Sequence, residues 1–305
     1  MNNAYLTFKK QLIQASWKID PLFSQPLSTK TSVKVGGPAL FFVVVSSFIE
    51  LIGLMKLINQ HNIPWFVIGK GSNLLIKDDG FPGVVIQLKG EFSKIEQIGD
   101  RIVSGAGASN SRLSRFARKQ SLSGTEFLSG IPGSIGGAIY MNAGAYGFEI
   151  KNIVQWVEFI DQNGKIHNLP NSRLHFSYRQ TRFTNLSGII LKVCLQLKLS
   201  DSFLVKETED RLLAKRKKSQ PLKKHTWGSV FVNPPGQKVA RLIESCDLKG
   251  KGVGGAKIST KHANFIENTG GASFRDLMAT VNLARSAVLK KYGIKLKMEG
   301  RIVPE

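Results

Sequence analysis

Between Gly124 and Gly147 glycine recurs too often for a packed helix and too irregularly for a collagen repeat, so something other than core packing set this composition. Gly130, Gly133, Gly136 and Gly137, with Ile131, Pro132 and Ser134 among them, describe a tight loop running into a small-residue helix start. Backbone N–H groups in such a loop can converge on an anion with no Cβ in the way, which reads as a diphosphate cradle. The competing reading is a glycine turn with structural duties alone. A second loop, Gly69-Lys70-Gly71-Ser72-Asn73, directly follows the apolar run Trp65–Ile68 and so lies at the end of an expected strand, where α/β proteins commonly place ligands. The second loop lacks the third glycine of the dinucleotide fingerprint, and neither loop ends in the Gly-Lys-Ser/Thr of a P-loop.

A chain of 305 residues can bury a large core and is expected to divide into two or three domains. Its longest strongly apolar run, 39–45, is too short to cross a bilayer, and no uninterrupted apolar segment follows Lys9 and Lys10, so a cytosolic, unprocessed protein is expected. Cys194 and Cys246 cannot build a disulfide framework or a metal site and are expected as reduced thiols. The formal charge of +22 raises nucleic acid as a partner. Against it, the basic residues are spread along the chain, and aromatic-plus-basic RNA motifs and Cys/His finger spacings are missing. An enzyme whose ligands all carry phosphates also gains from a positive field. Neither nucleic acid nor membrane is expected as a partner.

Patterning predicts an irregularly amphipathic segment over Ala4–Ile19, a strand over Leu40–Val45, and a helix from Ser47 to about Asn62 with a capping box to Glu50. Hairpins are expected around Gly99-Asp100 and Asn163-Gly164, and between them a basic helix capped by Asn110. Further on, the pattern predicts a strand over Ile189–Leu199 and a charged helix from Asp201 to Lys218. After these come a helix over Lys238–Cys246, a strand over Ala263–Glu267, a helix opened by Ser273 and Asp276 and closed by Gly293, and a strand over Ile294–Val303.

Read with Thr31–Ala39 upstream, the two glycine loops resemble those of the UDP-N-acetylenolpyruvoylglucosamine reductases, FAD enzymes of bacterial peptidoglycan synthesis. The likeness runs from about residue 27 to 303, with the motifs in the family's order. It implies an α+β chain: a bipartite FAD-binding domain of the vanillyl-alcohol-oxidase/PCMH type, then a smaller α+β substrate-binding domain. The corresponding boundaries are an N-terminal segment 1–26, a flavin domain 27–200 with lobes of about 27–90 and 91–200, and a substrate domain 201–305. The implied reaction uses NADPH to reduce FAD and then converts UDP-N-acetylglucosamine-enolpyruvate to UDP-N-acetylmuramate. Carried over residue by residue, cofactor contacts fall on Gly69, Lys70, Gly71, Ser72, Asn73, Gly130, Ile131, Pro132, Gly133, Ser134, Gly136, Gly137, Asn142 and Gly144.

In the same way Arg179, in Phe176-Ser177-Tyr178-Arg179, falls where the family faces an arginine to the developing enolate. Ser229, in Gly228-Ser229-Val230-Phe231, falls at the proton donor, and Glu299, in Lys297-Met298-Glu299-Gly300-Arg301, at the acidic partner. A carboxyl beside a carboxylate substrate has its pKa raised, so a neutral Glu299 is expected. Substrate contacts fall on Tyr178, on Arg216 and Lys217 for the UDP diphosphate, and on Asn233 and His262. Three features depart from the family. Trp227 stands where a small residue is usual, Thr181 replaces a serine, and the short interval from Arg179 to Ser229 resembles the subgroup without a tyrosine-bearing lid. A flavin- or nucleotide-binding protein without this turnover is the alternative that Trp227 leaves open.

Overall fold

The computed structural model describes residues 3–17 and 19–304; of the expected N-terminal segment 1–26, Met1, Asn2 and Lys18 lie outside the described residues. The chain forms two compact units. One gathers the residues up to Phe23, Phe41–Gly69 and Gly83–Ala214; the other gathers Ser24–Leu40, Lys70–Pro82 and the residues from Lys215 onward.

In the first unit, helix Phe48–His61 starts at Ser47, whose Oγ accepts from Glu50 N at 3.3 Å. The Glu50 carboxylate reaches one residue further back than the expected box and accepts from Ser46 N at 2.6 Å. Leu51, Leu54, Met55 and Ile58 recur at helical spacing and are buried, so one stripe of the helix faces the core. Asn62 closes it in the left-handed region, a role asparagine tolerates. Strand Phe81–Leu88 runs between Pro38–Val45 and Trp65–Val67, and pairs in parallel with the latter.

The larger sheet of this unit is antiparallel, in the order Ile166–Pro170, Val154–Asp161, Gly188–Gln196, Arg101–Gly105, Ile95–Ile98. Both expected hairpins form, with positive φ at Gly99 and Gly164 where the turns need it. Two expectations are corrected. Helix Asn110–Lys119 is capped by Ser109, whose Oγ accepts from Arg112 N, while Asn110 is itself helical. The strand expected to reach Leu199 stops at Gln196 and resumes at Lys198–Leu199 against Leu122–Ser123.

The second unit has a core of Val33, Leu75, Trp227, Phe231, Val239, Ile258, Leu277 and Val281, among others. Helix Phe274–Tyr292 lies on it. Both hydrogen bonds of the Ser273/Asp276 capping box are present, and Gly293 ends the helix at φ +69°. The expected strand Ile294–Val303 shrinks to Arg301–Val303, which runs parallel to Leu74–Ile76, and the expected strand Ala263–Glu267 starts only at Ile266. Asn264 is occupied otherwise: buried, it accepts from Phe231 N with Oδ1 at 2.9 Å and donates from Nδ2 to Phe231 O at 2.8 Å. Both cysteines are free thiols. No helix among the described residues is long and apolar enough to cross a membrane.

Candidate active site

The first unit carries Gly69, the long glycine stretch, and Tyr178 and Arg179. Gly69 meets the long glycine stretch here, because a Cβ on it would lie 2.4 Å from Ser134 Oγ. That oxygen accepts from Gly137 N as the cap of the short helix Ile135–Tyr140. Asn110 holds the loop before it: its backbone N–H donates to Gly133 O and its Nδ2 to Ile131 O, each just over 3 Å away. Gly133 has φ +151°, a conformation other residues rarely take.

The same region answers whether a flavin dinucleotide fits. A Cβ at Gly137 would meet only Ser134 Oγ, at 3.5 Å, so that approach is open. Asn110 Oδ1 is buried with no protein donor among the described residues. Backbone bare of Cβ suits a diphosphate, and an unspent buried acceptor suits a hydroxyl or imide N–H; FAD offers all of these. The residues therefore fit the group.

Arg179 sits in a tight turn in which Ser177 and Gln180 exchange backbone hydrogen bonds, and its φ is +61°. A non-glycine residue held there costs of order 1–3 kcal/mol, a strain that surrounding contacts must over-determine. They do. The guanidinium donates to Gly144 O at 3.1 Å and Asn142 O at 3.4 Å, lies 3.9 Å from Glu149, and stacks over the Tyr178 ring at 4.7 Å. Asn142 is fully buried, with Nδ2 on Ser177 O and Glu149 and Oδ1 on Lys151 N. Its side chain thus braces the arginine turn. Glu149 is a participant the sequence did not single out, although it lies just past the glycine stretch.

The second unit draws four distant motifs together. Ser32 N donates to Gly71 O at 3.1 Å and Ser32 Oγ to Thr226 O at 2.6 Å, so the Thr31–Ala39 motif fastens the glycine loop to the turn that leads into Ser229. Asn73 Nδ2 donates to Glu299 O, and Arg301 N to Asn73 O. Glu299 N donates to Val230 O at 2.9 Å, and Phe231 stands opposite Met298. Ser229 is half-buried on a turn whose Gly228 has φ +86°. Asn264, missed by sequence reasoning, clamps Phe231 just past this turn. Trp227 is fully buried in the core of this unit.

The remaining candidates lie elsewhere in this unit. Arg216 is half-buried and Lys217 exposed in the last turn of helix Ser202–Ser219, and Lys261 Nζ donates to Lys217 O at 2.6 Å. Asn233 Oδ1 accepts from Val239 N and so opens helix Val239–Glu244. His262 packs edge-on to Phe265, and its Nδ1 accepts from Asn264 N.

Burial holds the His262 imidazole below its ordinary value. Below about pH 6.5 the unfolded chain therefore binds the proton more readily than the folded one, and stability falls as pH drops. In urea titrations from neutral pH down to about pH 5, His262→Gln should lose stability less steeply than wild type. Equal slopes would show that His262 does not titrate this way.

The sequence profile described as "FAD binding domain" matches residues 39–170, and that described as "UDP-N-acetylenolpyruvoylglucosamine reductase, C-terminal domain" matches 220–303. Among curated proteins, the UDP-N-acetylenolpyruvoylglucosamine reductase of Heliobacterium modesticaldum is 42% identical over 280 residues, 92% of this chain and 89% of that protein. That of Clostridioides difficile is 38% identical over 307 residues and covers 100% of both. The crystal structure of the enzyme from Thermus caldophilus superposes with TM-score 0.81 at 35% identity, over 94% of this chain and 99% of that one. Likeness of this extent, over the same motifs that the fold draws together, means that the chain belongs to the UDP-N-acetylenolpyruvoylglucosamine reductase family.

Proposed function

We propose that the chain reduces UDP-N-acetylglucosamine-enolpyruvate to UDP-N-acetylmuramate with NADPH, as a cytoplasmic FAD enzyme of peptidoglycan precursor synthesis, and that Arg179, Ser229 and Glu299 carry the reaction. The observation that best supports the roles of Ser229 and Glu299 is the hydrogen-bonded convergence of the Thr31–Ala39, Lys70–Asn73, Gly228–Phe231 and Glu299–Arg301 segments in one unit. Bound FAD supplies the hydride chemistry. Reduction at the methylene carbon sends negative charge into the adjacent carboxylate. A permanently charged guanidinium braced on two carbonyls, as Arg179 is, offsets that charge with little reorganisation. The Ser229 hydroxyl gives the proton to the other carbon, and Glu299, as a neutral acid, donates a hydrogen bond to the enolate.

Gly69 to Asn73, Gly130 to Ser134, Gly136, Gly137, Asn142 and Gly144 are assigned to the flavin. Arg216 and Lys217 are assigned to the diphosphate of the substrate, and Tyr178, Asn233 and His262 to its other polar groups. Residues 27–200 then serve the flavin and 201–305 the substrate. The short-form subgroup is our assignment too. Between Arg179 and Ser229 lie the short turn Arg182–Thr184, strands Gly188–Gln196 and Lys198–Leu199, and helix Ser202–Ser219, and this order leaves little chain for an inserted lid.

Purified protein should be yellow, release FAD on denaturation, bleach with NADPH under anaerobic conditions, and regain colour with the enolpyruvyl nucleotide. Colourless protein whose ultraviolet absorbance is removed by nuclease would overturn this reading.

A further inference from the structure

A Cβ built at Gly300 would stand 2.4 Å from Trp227 Nε1 and 2.6 Å from Cδ1; the next nearest atom, Asn73 O, would be 3.7 Å away. The indole alone therefore demands glycine at this position, and Gly300 is not among the positive-φ residues, so backbone freedom is not the reason. Trp227 cannot yield cheaply. Its exposure is 0%, and it is the largest of the fully buried side chains. Its Nε1 meets no acceptor among the described residues, so shape rather than a hydrogen bond holds the ring in place.

Each side of this contact adjoins a reacting group. Trp227 leads through Gly228 into Ser229, and Gly300 follows Glu299. The two segments are already paired, Glu299 N on Val230 O and Val232 N on Lys297 O, both at 2.9 Å. We propose that Trp227 is a positioning residue: its indole fills the space a side chain at 300 would need, and so fixes how closely the Glu299 segment approaches the Ser229 turn. This inference rests on the roles assigned above to Ser229 and Glu299. A methyl group at 300 falls roughly an ångström short of ordinary contact, and a displacement of that size costs about 10²-fold when it misplaces reacting groups.

The test uses flavin-replete enzyme and follows the two half-reactions separately by anaerobic stopped-flow. Gly300→Ala should slow reoxidation by the enolpyruvyl nucleotide about 10²-fold and leave reduction by NADPH near the wild-type rate. Adding Trp227→Val, which removes both Nε1 and Cδ1, should recover about tenfold or more of the loss. A flavin-replete Gly300→Ala that reoxidises like wild type, half-reactions slowed alike, or a double variant without recovery overturns the proposal. Should Gly300→Ala fail to fold, Trp227→Val alone decides: slower reoxidation with unchanged reduction supports positioning, and wild-type rates in both overturn it. Ser229→Ala measured alongside separates the two claims. If that variant reoxidises normally, the assigned role of Ser229 fails, whatever Gly300→Ala shows.

Discussion

Ser229→Ala should bind FAD and accept reducing equivalents from NADPH as wild type does, yet its reduced form should be reoxidised by the enolpyruvyl nucleotide about 10² to 10⁴ times more slowly. Neither flavin binding nor its reduction needs the proton that Ser229 is proposed to give, so the loss should fall on one half-reaction. The fold favours a clean experiment. The turn is set by Gly228 at φ +86° and by Val230 N on Asn264 O at 2.9 Å, neither of which involves the serine hydroxyl. Alanine therefore deletes one oxygen from a half-buried position without releasing the backbone. A serine is a weak acid, so its transient alkoxide needs nearby positive charge; Arg216 and Lys217, in the same unit, are the side chains we assign to that work. A variant that reoxidises at the wild-type rate, with hydride transfer shown not to be a slower masking step, would remove Ser229 as the donor.

What could be read from the sequence was whatever short-range chemistry decides. Ser47 and Ser273 cap their helices, and Gly99 and Gly164 turn their hairpins, because every group involved lies within a few residues. The Asn110 cap failed on the same scale: Ser109 offers an equally good acceptor one residue earlier, and asparagine was spent on the glycine-loop carbonyls instead. What could not be read depends on partners far along the chain. Nothing around Ser32 announces that its hydroxyl will bond Thr226 O, nor does Asn73 announce Glu299 O. Trp227 stands where a small residue is usual; that its ring is buried in the core, against a position that only glycine can fill, depends on Gly300 far along the chain. Gly71 is a similar case. It was singled out for backbone approach to a ligand, but a Cβ there would lie 2.2 Å from Lys30 O, so the protein's own packing already requires glycine.

The same distinction makes Gly69 the better probe of the cradle. At Gly71 a valine meets φ +59° and the Lys30 carbonyl, and its effect would mix flavin loss with damage to the fold. At Gly133, φ +151° penalises any side chain. Gly69 carries no positive φ, and the nearest atoms its Cβ would meet are Ser134 Oγ at 2.4 Å and Ser134 Cβ at 3.3 Å, with Ser134 N next at 3.8 Å. Gly69→Val should therefore push Gly69 and the Ser134 turn apart. Overpacking of this kind costs about 1–3 kcal/mol, equivalent to about 5- to 150-fold in flavin affinity if the strain is relieved by opening the cradle. Purified Gly69→Val should emerge largely colourless and regain visible flavin absorbance only at raised FAD concentration. Gly69→Ala should show a smaller loss of the same kind, and adding Ser134→Gly should reverse it, because the clashing atoms are gone and glycine at a helix N-cap costs only a few tenths of a kcal/mol. Flavin titrations of the three variants at matched thermal stability decide the matter. A flavin-replete Gly69→Val would show that the meeting of Gly69 with the Ser134 turn does not shape the cofactor site.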